Sequence, residues 1–108
     1  MVKKRAQIKK IISAYRSRLQ DLGIEVSQII LYGSYAKGKP KHYSDIDVAV
    51  VSSTFKKMDI FQRQEILSKA HHNFKEPIEP IGLTPKQIKD KEGFIREILA
   101  TGISMYSK

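Results

Sequence analysis

Asp45 and Asp47 stand on either side of Ile46, at the head of the apolar run Val48 to Val51. In an extended strand alternate side chains share a face, so the two carboxylates point the same way with Ile46 opposite. Neighbouring carboxylates repel and are costly to keep ionised unless a cation sits between them. Oxygen-only ligands select Mg²⁺ or Mn²⁺, and Mg²⁺ characteristically takes one or two carboxylates plus substrate phosphates. Upstream, Gly33-Ser34 ends the apolar run Ile29 to Tyr32. Glycine lets a phosphate approach the backbone, and the serine hydroxyl and following amides can donate to its oxygens. Lys37, Lys39 and Lys41 add positive charge between the two motifs, where a triphosphate would be neutralised. Together these features describe a site for a metal-bound nucleotide.

Several elements must position that site. Ile8, Ile11, Ile12, Tyr15, Leu19 and Leu22 recur at helical steps and predict a helix over Lys3 to Leu22, ended by Gly23. Its other face carries Lys3, Lys4, Lys9, Lys10, Arg16 and Arg18 and reads as a solvated face. A strand is expected over Ile24 to Tyr32, a loop or single helical turn over Tyr35 to Ser44, and a second strand over Asp45 to Val51. Met58 to Phe74 predicts a helix with Asp59 as N-cap and Phe61, Leu67, Ala70 and Phe74 in its apolar stripe. Glu76 to Leu83 is the third strand; Pro77 and Pro80 keep it from a fully paired central place. Thr84-Pro85 starts another helix that runs to Thr101-Gly102, and Ile103 to Tyr106 adds a last strand. The expected order is α-β-β-α-β-α-β, an α/β (α+β) arrangement, and 108 residues suit a single domain over 1–108.

Composition narrows the function classes. The chain has no cysteine, which excludes disulfides, thiolate metal sites and a Cys nucleophile and is compatible with a cytoplasmic setting. No apolar run approaches a membrane span, and no export segment is read after the basic N-terminus. Twenty Lys and Arg against 11 Asp and Glu give a net charge of +9, a field that attracts nucleotides, nucleic acid or an acidic partner. Adjacent His71 and His72 project about 100° apart on a helix and cannot easily share a metal. His42 reads as solvated, Tyr32 as core and Tyr35 as a neighbour of the nucleotide.

Gly33-Ser34, ten residues, then Asp45-Ile46-Asp47 resembles the signature of the polymerase-β-like nucleotidyltransferase superfamily. The flanking Tyr32-Gly33-Ser34-Tyr35-Ala36-Lys37-Gly38 and Ser44-Asp45-Ile46-Asp47-Val48-Ala49-Val50-Val51 look like the minimal nucleotidyltransferases, stand-alone domains often paired with helical HEPN-domain proteins. The match is dense over about twenty residues and looser over the whole chain. It implies the polymerase-β-like fold, a small mixed sheet flanked by helices, and a third carboxylate on the next strand. Glu79 fits that place, where the family usually has Asp, with Glu76 as the second choice. The resemblance further implies two Mg²⁺ ions held by Asp45, Asp47 and Glu79. Gly33, Ser34 and Lys37 would hold ATP or another nucleoside triphosphate. The activity implied is transfer of NMP to a hydroxyl, such as a tyrosine of a HEPN toxin in a toxin–antitoxin system.

Two further readings remain open. One is a weak or inactive nucleotide-binding module that neutralises its partner by complex formation. The other is a nucleic-acid binder using the basic first helix. A chain this small also leaves open that a partner, or a second copy in a homo-oligomer, completes the site.

Overall fold

In the computed structural model, which describes residues 2–72 and 74–108, every helix and strand takes its place around one four-stranded sheet. Met1 and Asn73, the latter inside the predicted Met58 to Phe74 helix, lie outside the described residues. The elements are α1 (Arg5–Asp21), β1 (Val26–Tyr32), α2 (Gly33–Ala36), β2 (Ile46–Ser52), a 3-10 turn (Ser53–Lys57), α3 (Ile60–His71), β3 (Ile78–Leu83), α4 (Pro85–Asp90), α5 (Phe94–Thr101) and β4 (Ile103–Ser107). The sheet order is β3-β2-β1-β4, with β1 antiparallel to both neighbours and β2 parallel to β3. This is a mixed α/β fold. Among the described residues no helix is long and apolar enough to cross a membrane.

Strand alternation divides the core in two. Ile29, Leu31, Ile46, Val48, Val50 and Ile78 face α1 and α3, meeting Ile8, Ile12, Tyr15, Leu19 and Leu67. Ile30, Ala49, Val51 and Leu83 face α4 and α5 and pack on Ile98. Burial of these apolar faces, at about 25 cal/mol per Å², drives the three layers together. The Tyr15 hydroxyl, fully buried, donates to the Leu67 carbonyl at 2.8 Å and ties α1 to α3. Tyr15→Phe is therefore expected to cost about 1 kcal/mol, a fall in melting temperature of about 4–8 °C readable by calorimetry. An unchanged melting temperature would show the bond to contribute nothing.

The structure departs from the sequence expectations in three places. The single helical turn allowed over Tyr35 to Ser44 begins two residues earlier, at Gly33. The helix expected from Pro85 to Thr101 breaks in two, because Lys91 caps α4 in the left-handed region (φ 49°). Phe61, expected in the apolar stripe of α3, is 82% exposed. It lies six residues before Leu67, about 120° round the helix from it at about 100° per residue, so it misses the core.

The prolines put β3 at the sheet edge, as expected of them. Part of its outward edge is engaged: the Ile78 N–H donates to the Glu76 carbonyl at 3.0 Å, which also accepts from Nε2 of His71 at 2.7 Å, Pro80 has no N–H, and the Gly82 carbonyl accepts from Arg63 at 3.1 Å. His71 and the exposed His72 thus take the structural and solvated roles expected of them.

Part of the basic face of α1 is also spent. Arg16 lies over the Tyr106 ring (4.3 Å) and Arg18 over Phe74 (4.2 Å), contacts that fix the C-terminal strand and the end of α3.

Candidate active site

The parallel pairing of β2 and β3 sets Asp47 level with Glu79. Level residues on neighbouring strands share a sheet face, so both carboxylates lie on the α4/α5 side of the sheet, before Ala49, Ile81 and the helices cover it. Asp45 sits one residue before β2 with the same alternation. Asp47 is half-buried, whereas Asp45 and Glu79 are exposed. Its carboxyl is pushed above the ordinary range, first by burial and then by the charges of Asp45 and Glu79. Glu76 precedes β3, and its carbonyl accepts from Nε2 of His71 at 2.7 Å.

Gly33 closes the other side. Its φ is +72°, and a Cβ placed on it would come within 2.2 Å of Asp47 Oδ2. Only glycine lets the start of α2 lie this close to the carboxylate. Tyr32 pairs with Asp47 across β1 and β2. Burial first, then the charges of Asp47 and Glu79, push its phenol up to about 12. Tyr32 and Tyr35 exchange the places expected of them. Tyr35 is buried in the core, and its hydroxyl accepts the Lys3 amide. Tyr32 is half-exposed and meets Phe94 edge-to-face at 5.7 Å. With Gly33, Lys37, Glu97 and Thr101, these two aromatics line a cavity of about 180 Å³. The sequence pattern assigned Tyr32 to the core. The available signal was that Tyr32 alternates with Leu31, which faces the α1/α3 side.

Lys37 stands at the end of α2 with its ammonium 4.0 Å from Glu97 Oε1, both groups exposed. Such a pair contributes little and exchanges readily with an incoming anion. Lys39 and Lys41 stay exposed on the loop.

Asp45, Asp47 and Glu79 are the residues that could hold a divalent cation. The donor set fits one: three hard oxygen ligands, with a half-buried carboxyl whose charge its neighbours oppose. Among the described residues no three His, Cys, Asp or Glu side chains form a ready-made cage. Phosphate or water oxygens would therefore have to complete the coordination, which is how Mg²⁺ is usually bound.

The sequence profile of the family described as polymerase beta, nucleotidyltransferase matches residues 6–108. The chain belongs to this nucleotidyltransferase family. Among solved structures, the nucleotidyltransferase fold recurs in a candidate nucleotidyltransferase from Sulfolobus solfataricus. That structure has a TM-score of 0.70 and 18% identity, with 95% of this chain and 83% of that chain covered. A toxin–antitoxin complex with AMP-PNP gives a TM-score of 0.60 at 21% identity, over 94% of this chain and 73% of that one. A tri-AMPylated Shewanella oneidensis HEPN toxin in complex with its MNT antitoxin gives 0.55 at 19%, over 96% and 72%. No curated protein matches the chain. At these identities the solved structures speak to the fold alone.

Proposed function

We propose that this nucleotidyltransferase moves NMP from ATP, or another nucleoside triphosphate, to a tyrosine hydroxyl of a HEPN-type partner in the cytoplasm, and so acts as an antitoxin. The observation that carries this reading is the alignment of Asp47 with Glu79, beside Asp45 and directly beneath Gly33. The likeness of the fold to chains crystallised with AMP-PNP and with an AMPylated HEPN toxin supports the choice of donor and partner.

In this reading Gly33 and Ser34 receive the triphosphate, and Lys37 leaves Glu97 to neutralise it. Asp45, Asp47 and Glu79 hold two Mg²⁺ ions. Bound there, the metal would neutralise phosphate charge and lower the pKa of the acceptor hydroxyl. The acceptor oxygen bonds to the α-phosphorus as the bond to the β-phosphate oxygen breaks, and pyrophosphate leaves. Glu79, exposed on the edge strand, takes the hydroxyl proton and passes it to solvent. The protein's own share is positioning and electrostatics.

Labelled ATP with Mg²⁺ and a HEPN protein encoded beside this chain tests the proposal. Label is expected on the partner, and Asp45→Ala with Asp47→Ala should remove it. No transfer, or transfer indifferent to that double change, would sink the proposal. A double variant that still binds and protects would favour neutralisation by contact.

A further inference from the structure

A cavity of about 570 Å³ between β3, α3 and α5 has no part in the chemistry above. Ile81 and Leu83 of β3 form its floor, and Ile60, Phe94, Ile95 and Ile98 its walls. Its volume lies within the range of small-ligand and side-chain sites. Its position ties it to the carboxylates. Ile81 follows Glu79 by two residues on the same face, about 7 Å further along the strand. Phe94 lines both this cleft and the small cavity over Gly33.

The cleft's chemistry indicates what it takes. Despite the net charge of +9, among the described residues no lysine lines it. Its arginine, Arg63, is committed: it donates to the Met58 carbonyl at 3.2 Å, the Gly82 carbonyl at 3.1 Å and Gln87 Oε1 at 2.9 Å. Asp59 at the rim caps α3 through the Gln62 amide. A phosphate backbone would meet an acidic rim and an arginine already engaged. An apolar side chain would meet a matched surface, for Ile60 is 70% and Phe94 54% exposed beside it, and Phe61 continues the patch.

We infer that this cleft is the acceptor-side docking site: a polypeptide segment buries an apolar side chain against Ile81, Leu83 and Ile95 and thereby presents a neighbouring hydroxyl to the Asp47–Glu79 face. The inference rests on the transfer reading, which needs an acceptor that this chain does not itself supply.

An isoleucine-methyl-labelled chain, free of nucleotide and metal, tests the docking by NMR titration. The probes are a short peptide with tyrosine flanked by leucine and phenylalanine, the same peptide with serines in their place, and oligouridylate. The methyls of Ile60, Ile81, Ile95 and Ile98 are expected to shift with the apolar peptide only, while Ile8, Ile12 and Ile29 in the opposite core stay still. Ile60→Glu, at an exposed position, should weaken that binding about tenfold, the value of one buried apolar side chain. With MgATP it should raise KM for the peptide and leave KM for ATP unchanged. Cleft methyls that ignore the apolar peptide, or respond instead to oligouridylate or AMP-PNP, would overturn the inference. So would sedimentation showing a dimer that Ile60→Glu dissolves, with no response to peptide. Docking without label transfer supports the cleft and counts against the transfer reading. Equal transfer to both peptides, indifferent to Ile60→Glu, supports transfer and removes the cleft.

Discussion

Asp47→Asn is expected to lower nucleotidyl transfer on the order of 10³-fold and yet to raise the melting temperature of the metal-free chain. The two effects share one cause. Asp47 is half-buried beside two other carboxylates, so its ionised form is disfavoured in the fold. For a carboxyl raised in this way the sign is the reverse of an ordinary paired aspartate. Below the ordinary carboxylate range both states are protonated and the group costs nothing. The destabilisation sets in as pH rises past the unfolded value and is complete above the raised folded one. The asparagine amide removes the charge and with it this cost. Mg²⁺ should stabilise the wild type and lose most of that effect on Asp47→Asn. Thermal melts with and without Mg²⁺, at neutral pH and at pH near the carboxylate range, read all of this. If Asp47→Asn melts lower than wild type without metal, or responds to Mg²⁺ as strongly, the three carboxylates are not a cation site.

Gly33→Ala should damage both stability and transfer severely. The new methyl would come 2.2 Å from Asp47 Oδ2, and the backbone is held at φ +72°, where any L side chain is strained. The left-handed conformation alone costs about 1–2 kcal/mol. Relief of the clash must displace either α2 or the Asp47 carboxylate, and misplacement by about 1 Å can cost on the order of 100-fold in rate. Gly23→Ala separates the two effects, because Gly23 also has positive φ (+88°) but open space around it. It should lose similar stability with transfer intact. Equal transfer by Gly33→Ala and wild type would show that the close approach of α2 has no bearing on the reaction.

Much of this architecture is written in short-range patterns. The helical spacing of Ile8, Ile12, Tyr15 and Leu19 locates α1, and all four are buried. Asp59 and Thr84 accept the amides of Gln62 and Gln87 as the capping pattern implies. Alternation along β2 puts Asp47 on one face, and the two prolines place β3 at an edge. What remained illegible depends on contacts distant in sequence. Alternation sets Tyr32 opposite Leu31, but which face each takes is settled by the α1/α3 layer, which swallows Tyr35 and leaves Tyr32 beside Phe94. Phe61 is apolar and well spaced for a helix, yet the core lies elsewhere round α3. Lys91 breaks a helix that its own residue type would continue. That Asp47 and Glu79 stand level follows only from the β2–β3 register, which no local pattern encodes. The roles of Asp45, Asp47, Glu79, Gly33, Ser34 and Lys37 in turnover rest on the experiments above.

The capped edge of β3 has a consequence for how such a protein survives in a crowded cell. A strand that keeps Glu79 in solvent must stay accessible, and an accessible strand edge is the usual seed for fibres and aggregates. Here the Glu76 carbonyl, Pro80 and Arg63 interrupt three alternate outward positions, 78, 80 and 82, which disfavours the pairing of a foreign strand. Glu79 can therefore face solvent without its backbone becoming a template.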